Sequence, residues 1–141
     1  MATDTVDFEN TLQEIGFGDG WKWDKGSWWL VSPEPYDVRE TTRKMRQLEA
    51  RFVAITAIER PDKEIRLDYQ WDLQGKLLSF ICATSAGQMP TIADLSPAAD
   101  WVEREIHEYF AVDFTGRTST DPLMTRPGAP LGINLHTEAA K

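Results

Sequence analysis

Between residues 64 and 73 the chain alternates without a break: Ile65, Leu67, Tyr69, Trp71 and Leu73 on one side, Arg66, Asp68, Gln70 and Asp72 on the other. A period of two belongs to a strand with one face buried and one wetted. Gln74-Gly75 then reads as a two-residue hairpin turn, and residues 76–84 repeat the pattern with Leu78, Phe80 and Cys82 on one face. Upstream, the β-rich run from Phe52 to Ile58 is set off from this strand by Arg60-Pro61-Asp62-Lys63. Three consecutive strands are therefore predicted. Trp21-Lys22-Trp23 and Trp28-Trp29-Leu30-Val31, joined by Asp24-Lys25-Gly26-Ser27, add two shorter ones.

Helical spacing occupies the intervals. Phe8, Leu12 and Ile15 mark a short helix over 6–15, ended by the glycines at 16, 18 and 20. Val38, Met45, Leu48 and Phe52 recur at three-, four- and seven-residue spacings and predict a helix over about 37–49, after the Ser32-Pro33-Glu34-Pro35 breaker. A third helix is predicted from Pro97 to Phe110, with Ser96 as N-cap and Pro97 at the first helical position. Its buried stripe is Ala98, Val102, Ile106 and Tyr109, with Glu103, Arg104 and His107 opposite and Glu105 on the edge of the apolar arc. An ionised carboxylate in that position calls for a cationic or N–H partner. The pattern as a whole implies one α+β domain over 1–116, its mostly antiparallel sheet covered on one face by helices. Residues 117–141, with Pro122, Pro127 and Pro130, read as an extended tail whose one compact apolar spot is Pro122-Leu123-Met124.

Charge and composition narrow the chemistry. A net charge of -8 over 141 residues leaves little for a nucleic-acid backbone to bind. Residues 1–38 hold eight acids against two lysines, whereas residues 39–66 hold eight bases against five acids. The positive segment is a solvated helix face or a surface that meets an acidic partner. One cysteine, Cys82, excludes a disulfide framework and sits where a small core residue belongs. The start lacks a basic, then apolar leader, and no apolar run reaches the ~20 residues that span a bilayer, so a cytoplasmic chain is expected.

Catalytic arrangements are hard to find. Glu103 and His107 stand at i, i+4 but lack the second histidine of a zinc-binding helix. The Gly16–Gly20 glycines do not have dinucleotide-loop spacing, no serine sits in a nucleophile elbow, and Cys82 has no evident base. Glu105 and Glu108 as an acid–base pair, and Trp21, Trp23, Trp28 and Trp29 as a surface for sugars or lipid, remain as alternatives to an assembly role.

One stretch carries a resemblance. Glu103-Arg104-Glu105-Ile106-His107-Glu108-Tyr109-Phe110, continuing Ala111-Val112-Asp113-Phe114-Thr115-Gly116, is similar to the Glu-Arg-Glu signature of the 30 kDa subunit family of respiratory complex I, the C-type subunits of NADH:quinone oxidoreductase. Ser96-Pro97-Ala98-Ala99-Asp100-Trp101 resembles the lead into that helix. A short chain with a Pro-Leu-Met segment looks most like the small subunit of a membrane-bound, energy-converting [NiFe] hydrogenase, of the Ech or carbon-monoxide-linked type, with complex I itself as the alternative. The resemblance implies a non-catalytic subunit that holds no cofactor or metal and packs against the large subunit (complex I 49 kDa-like) and the Fe-S subunits, which carry the [NiFe] centre and clusters. It also implies a peripheral position on the cytoplasmic face of the inner (plasma) membrane, reached only through the complex. On this reading Trp101, Glu103, Arg104, Glu105, Glu108, Phe110, Phe114, Gly116, Pro122, Leu123 and Met124 are structural or partner-interface residues.

Overall fold

The computed structural model describes residues 21–24, 26–31, 37–84, 87–117, 130–132 and 135. The expected helix over 6–15 and the Pro122-Leu123-Met124 segment lie outside them. Seven strands and two helices follow in the order β1 (Lys22–Asp24), β2 (Ser27–Val31), α1 (Val38–Gln47), β3 (Arg51–Glu59), β4 (Ile65–Leu73), β5 (Lys76–Ala83), β6 (Gln88–Pro90), α2 (Ala99–Phe110) and β7 (Asp113–Thr115). The first five strands form one sheet in the order β1-β2-β5-β4-β3, antiparallel except for the parallel β2–β5 pair. This is the α+β, mostly antiparallel fold expected from the pattern.

The β4–β5 hairpin is built as its residues dictate. Gln74 and Gly75 both take positive φ, 54° and 80°, the pair of values a two-residue turn needs to match strand twist. In-register pairing then sets Tyr69 against Phe80 and Trp71 against Leu78. All five apolar residues of β4 are buried, with Leu67 fully enclosed. Cys82 is buried beside them, its thiol donating to the Leu67 carbonyl at 3.1 Å, and burial pushes that thiol well above its ordinary pKa. The opposite face departs from expectation at Asp68, which is buried. Its carboxylate takes a two-pronged hydrogen bond from Arg66, at 2.8 Å on each oxygen. A charge is tolerated there because its cation lies two residues away on the same face.

Trp21 and Trp28 join the core, Trp21 edge-on to Phe80 with centroids 5.2 Å apart, while Trp23 stays half exposed. The tryptophan hairpin is thus mainly interior, not a stacking surface. Helix α1 starts at Asp37, whose carboxylate accepts the Glu40 N–H at 3.0 Å, and it buries Val38, Thr41, Thr42 and Met45. It links β2 to β3, which run parallel with β5 and β4 between them. Among the described residues no helix is long and apolar enough to cross a membrane.

Candidate functional site

The residues of the Glu-Arg-Glu stretch meet in the corner formed by β6, α2 and β7. β6 and β7 are a parallel pair, Met89 opposite Phe114, and α2 is the crossover between them. A parallel pair with one crossover helix places both carboxyl strand ends on the same side, next to the start of the helix. That geometry, and not sequence proximity, brings Thr91 and Ile92 after β6, Asp100 and Glu103 on α2, and Arg117 after β7 to one spot.

Helix α2 begins two residues later than Pro97. Turns from Ile92 onward lead into it: the Ile92 carbonyl accepts from Leu95 and Ser96, and the Ser96 carbonyl accepts from Ala99. Ala98 occupies the N-cap position with no side-chain cap, and Ser96 is buried within the turns. The buried face is also rotated from the expected one. Ala99, Glu103, Ile106 and Glu108 are the buried helix residues, whereas Ala98 and Glu105 are exposed. The expectation that Glu103 faces water and Glu105 requires a partner is thus reversed.

Glu103 is fully buried and each of its oxygens accepts from at least one donor. The Thr91 hydroxyl and Arg117 Nη1 (2.8 Å) donate to Oε1, and the Ile92 N–H donates to Oε2 at 2.8 Å. Arg117, with a side chain only 6% exposed, reaches Asp100 through its other terminal nitrogen. Gly116 makes this reach possible: its φ of +89° turns the chain sharply out of β7, a conformation costly for other residues. Burial pushes the Glu103 carboxyl above its ordinary range, opposed by the Ile92 N–H, the Thr91 hydroxyl and Arg117. Burial also disfavours the Arg117 charge, but Asp100 and Glu103 together raise its pKa. The two partners pull in opposite senses. We favour the ionised pair, because three donors converge on the carboxylate.

The network extends outward. Arg39 of α1 holds Asp94 through two hydrogen bonds of 2.7 and 2.8 Å and also donates to the Thr91 carbonyl at 2.7 Å. That guanidinium keeps the Asp94 carboxyl down at about 2. An open cleft of about 400 Å³ lies over this corner, lined by Thr91, Asp94, Asp100 and Arg117 among others.

The remaining stretch residues play separate parts. Arg104 leans toward Asp100 at 3.8 Å, and Glu108 is buried. Glu105 and Glu108 consequently share no common opening as an acid–base pair would. His107 turns its Nδ1 to the Val112 carbonyl at 2.9 Å, so it neither meets Glu103 nor forms a ligand pair with it. Phe114 is buried, Phe110 packs partly buried against the core, and Trp101 is 67% exposed. At the helix end Ala111 is left-handed (φ 57°), and the Gly132 N–H satisfies the Glu108 carbonyl at 2.8 Å. Leu135 packs on the core, so part of the expected tail returns to the domain. Among the described residues no group of three or more His, Cys, Asp or Glu side chains is placed to hold a metal. Sequence reasoning missed Arg39, Thr91, Asp94, Asp100 and Arg117 as site residues; of these, Arg117 was the most legible. Its signal was a basic side chain directly after the glycine that ends β7.

The C-type subunit of NADH-quinone oxidoreductase from Rhodopseudomonas palustris (strain BisB18) is 30% identical over 86 residues, which cover 55% of this chain and 43% of the relative. The corresponding protein of Rhodobacter capsulatus is 27% identical over 107 residues, covering 70% of this chain and 54% of its own length. The chain thus spans about half the length of these curated relatives. In fold it is similar to a trypsin-resistant fragment of Nqo5, with a TM-score of 0.64 at 20% identity, covering 79% of this chain and 98% of that one. A family model described as respiratory-chain NADH dehydrogenase, 30 Kd subunit, matches residues 31–138, which take in both helices, β3 to β7 and Arg117. The chain belongs to that family.

Proposed function

We propose that this protein is a non-catalytic subunit of a membrane-associated oxidoreductase complex of the NADH-quinone type, packing against the large 49 kDa-like subunit and its Fe-S neighbours. One observation carries the structural role. The signature carboxylate Glu103 is enclosed, with each oxygen taking donors from Thr91, Ile92 or Arg117, so it braces two strands and a helix. In this reading the chain contributes shape and surface, while the redox centres belong to other subunits. Complex I parentage takes precedence over the hydrogenase reading, because the matched relatives are NADH-quinone oxidoreductase subunits.

Affinity purification of the tagged chain from gently solubilised native membranes, with mass spectrometry and nickel and iron analysis, tests this. Flavoprotein and NADH-oxidising subunits are the expected companions. A nickel-containing large subunit would move the parentage to an energy-converting hydrogenase, and a chain recovered alone would overturn the assembly role.

A further inference from the structure

Helix α2 borders a second opening, away from the buried network. A groove of about 290 Å³ lies between Ile55, Thr56 and Ala57 of β3 and Val102, Ile106 and Phe110 of α2. Successive strand residues point to opposite faces, so a groove that touches three in a row opens along the backbone edge of β3, not above one face. β3 is also the last strand of its sheet, with β4 its one neighbour among the described residues. It is nine residues long, contains no proline, and leaves Val53 and Ile58 more than 40% exposed. Apart from a bulge between Phe52 and Ala54, it lacks, among the described residues, the features that usually blunt a free edge. Glu105 stands exposed on the helix wall of the groove, and among the described residues no hydrogen bond or ion pair engages it.

We propose that this edge and groove receive an extended segment of a partner subunit, added as a further strand beside β3. Its apolar side chains at alternate positions enter the groove, and a Lys or Arg faces Glu105. Main-chain pairing supplies the affinity in this mode and the side-chain pockets supply the choice of partner. A second copy of this chain does not fit. Helix α2 packs on β3, and two such strands paired edge to edge would lie ~4.8 Å apart, whereas the helices above them need ~8–10 Å. The occupant therefore arrives as a bare strand. The proposal rests on the assembly role given above and adds the surface and the chemistry of the partner.

A photo-crosslinking amino acid at Thr56 of the tagged full chain, irradiated in the complex purified from native membranes, reads the contact directly. The expected result is an adduct to one other subunit, mapped to an extended apolar segment with a basic residue, and none from the same group placed at Gln74. Co-purification of the complex without an intersubunit adduct at 56, or an adduct to the chain itself or to a second copy, would overturn the docking proposal while leaving the assembly role intact. A chain that co-purifies with nothing would overturn both. Glu105→Lys supplies an independent readout: with the melting temperature unchanged, salt-washed complex should retain at least about tenfold less of the variant, because a like charge then faces the partner's cation. Unchanged retention would refute the ionic part of the proposal.

Discussion

The β3–β5 meander and the β6–α2–β7 corner are held together by different physics. In the meander, neighbouring strands are joined by short turns and the stabilising groups are apolar: Leu67, Tyr69, Trp71, Leu78 and Phe80 are essentially dry. In the corner, the enclosed group is a carboxylate, and its cation comes from fourteen residues further along the chain. Hydrophobic burial tolerates small errors of geometry, because it is non-directional and scales with area. A buried ion pair does not, since its attraction offsets desolvation only while both partners and their hydrogen bonds are in place. The corner is therefore the part of this fold that a single polar substitution can release.

The sharpest test sets one truncation in each region side by side. Trp71→Ala should cost ~3–5 kcal/mol and lower the whole unfolding transition, since it empties the centre of the sheet. Arg117→Ala should cost a similar ~3–5 kcal/mol by stranding Glu103. Its effect, however, should be local: amide exchange should accelerate at residues 88–92 and 113–115 while β4 and β5 keep their protection. Equal acceleration everywhere would erase the distinction between the regions. Replacing both partners, as Glu103→Leu with Arg117→Met, should cost less than Arg117→Ala alone, because no unpaired charge is left inside. Chemical denaturation of the three variants measures the coupling.

Smaller effects refine the corner. Ala111→Gly should raise stability by about 0.5–1 kcal/mol, since Ala111 holds a left-handed φ at the helix end that glycine adopts freely. A thermal melt showing no gain would mean that packing of the Ala111 methyl near Gly132 outweighs the strain. The Arg39–Asp94 pair is half exposed and should contribute less than about 1 kcal/mol. Its pH dependence has a definite sign. Asp94 is depressed in the folded chain, so its contribution is complete above the ordinary carboxylate value of ~3.9 and is lost as pH falls toward about 2. Asp94→Asn should remove that acid-side component of the stability curve and leave the neutral side with only a small offset.

The two regions are unequally legible in the sequence, for the same physical reason. The meander was legible residue by residue: alternation over 64–73 and the Gln74-Gly75 turn specified strand, face and hairpin register. Asp68 is the one β4 residue on the polar face that proved buried, and the local pattern cannot report what covers a face. Helix α1 was equally readable, with its ends within two residues of expectation. For α2 the helix was predicted but its buried side was misassigned. Hydrophobic spacing counts a glutamate as polar and places it outward, yet Glu103 occupies the inward position between Ala99 and Ile106. The family signature marked Glu103 and Glu105 alike as important, but could not say which is enclosed. The groove beside β3 left no trace in the sequence, because it requires knowing which strand ends the sheet.

By itself, then, the sequence determined β1 to β5 and both described helices, the hairpin, the apolar core of the meander and the kinship of the 103–116 stretch, because each is written in neighbours a few residues apart. Only the tertiary structure decided that Glu103 is inside and Glu105 outside, that Arg117 supplies the counter-charge, and that β3 ends the main sheet among the described residues. Those outcomes depend on the parallel pairing of β6 with β7 and on strand order in the main sheet. Both are long-range choices, made when separate elements find a common arrangement that satisfies every buried charge and covers the apolar faces.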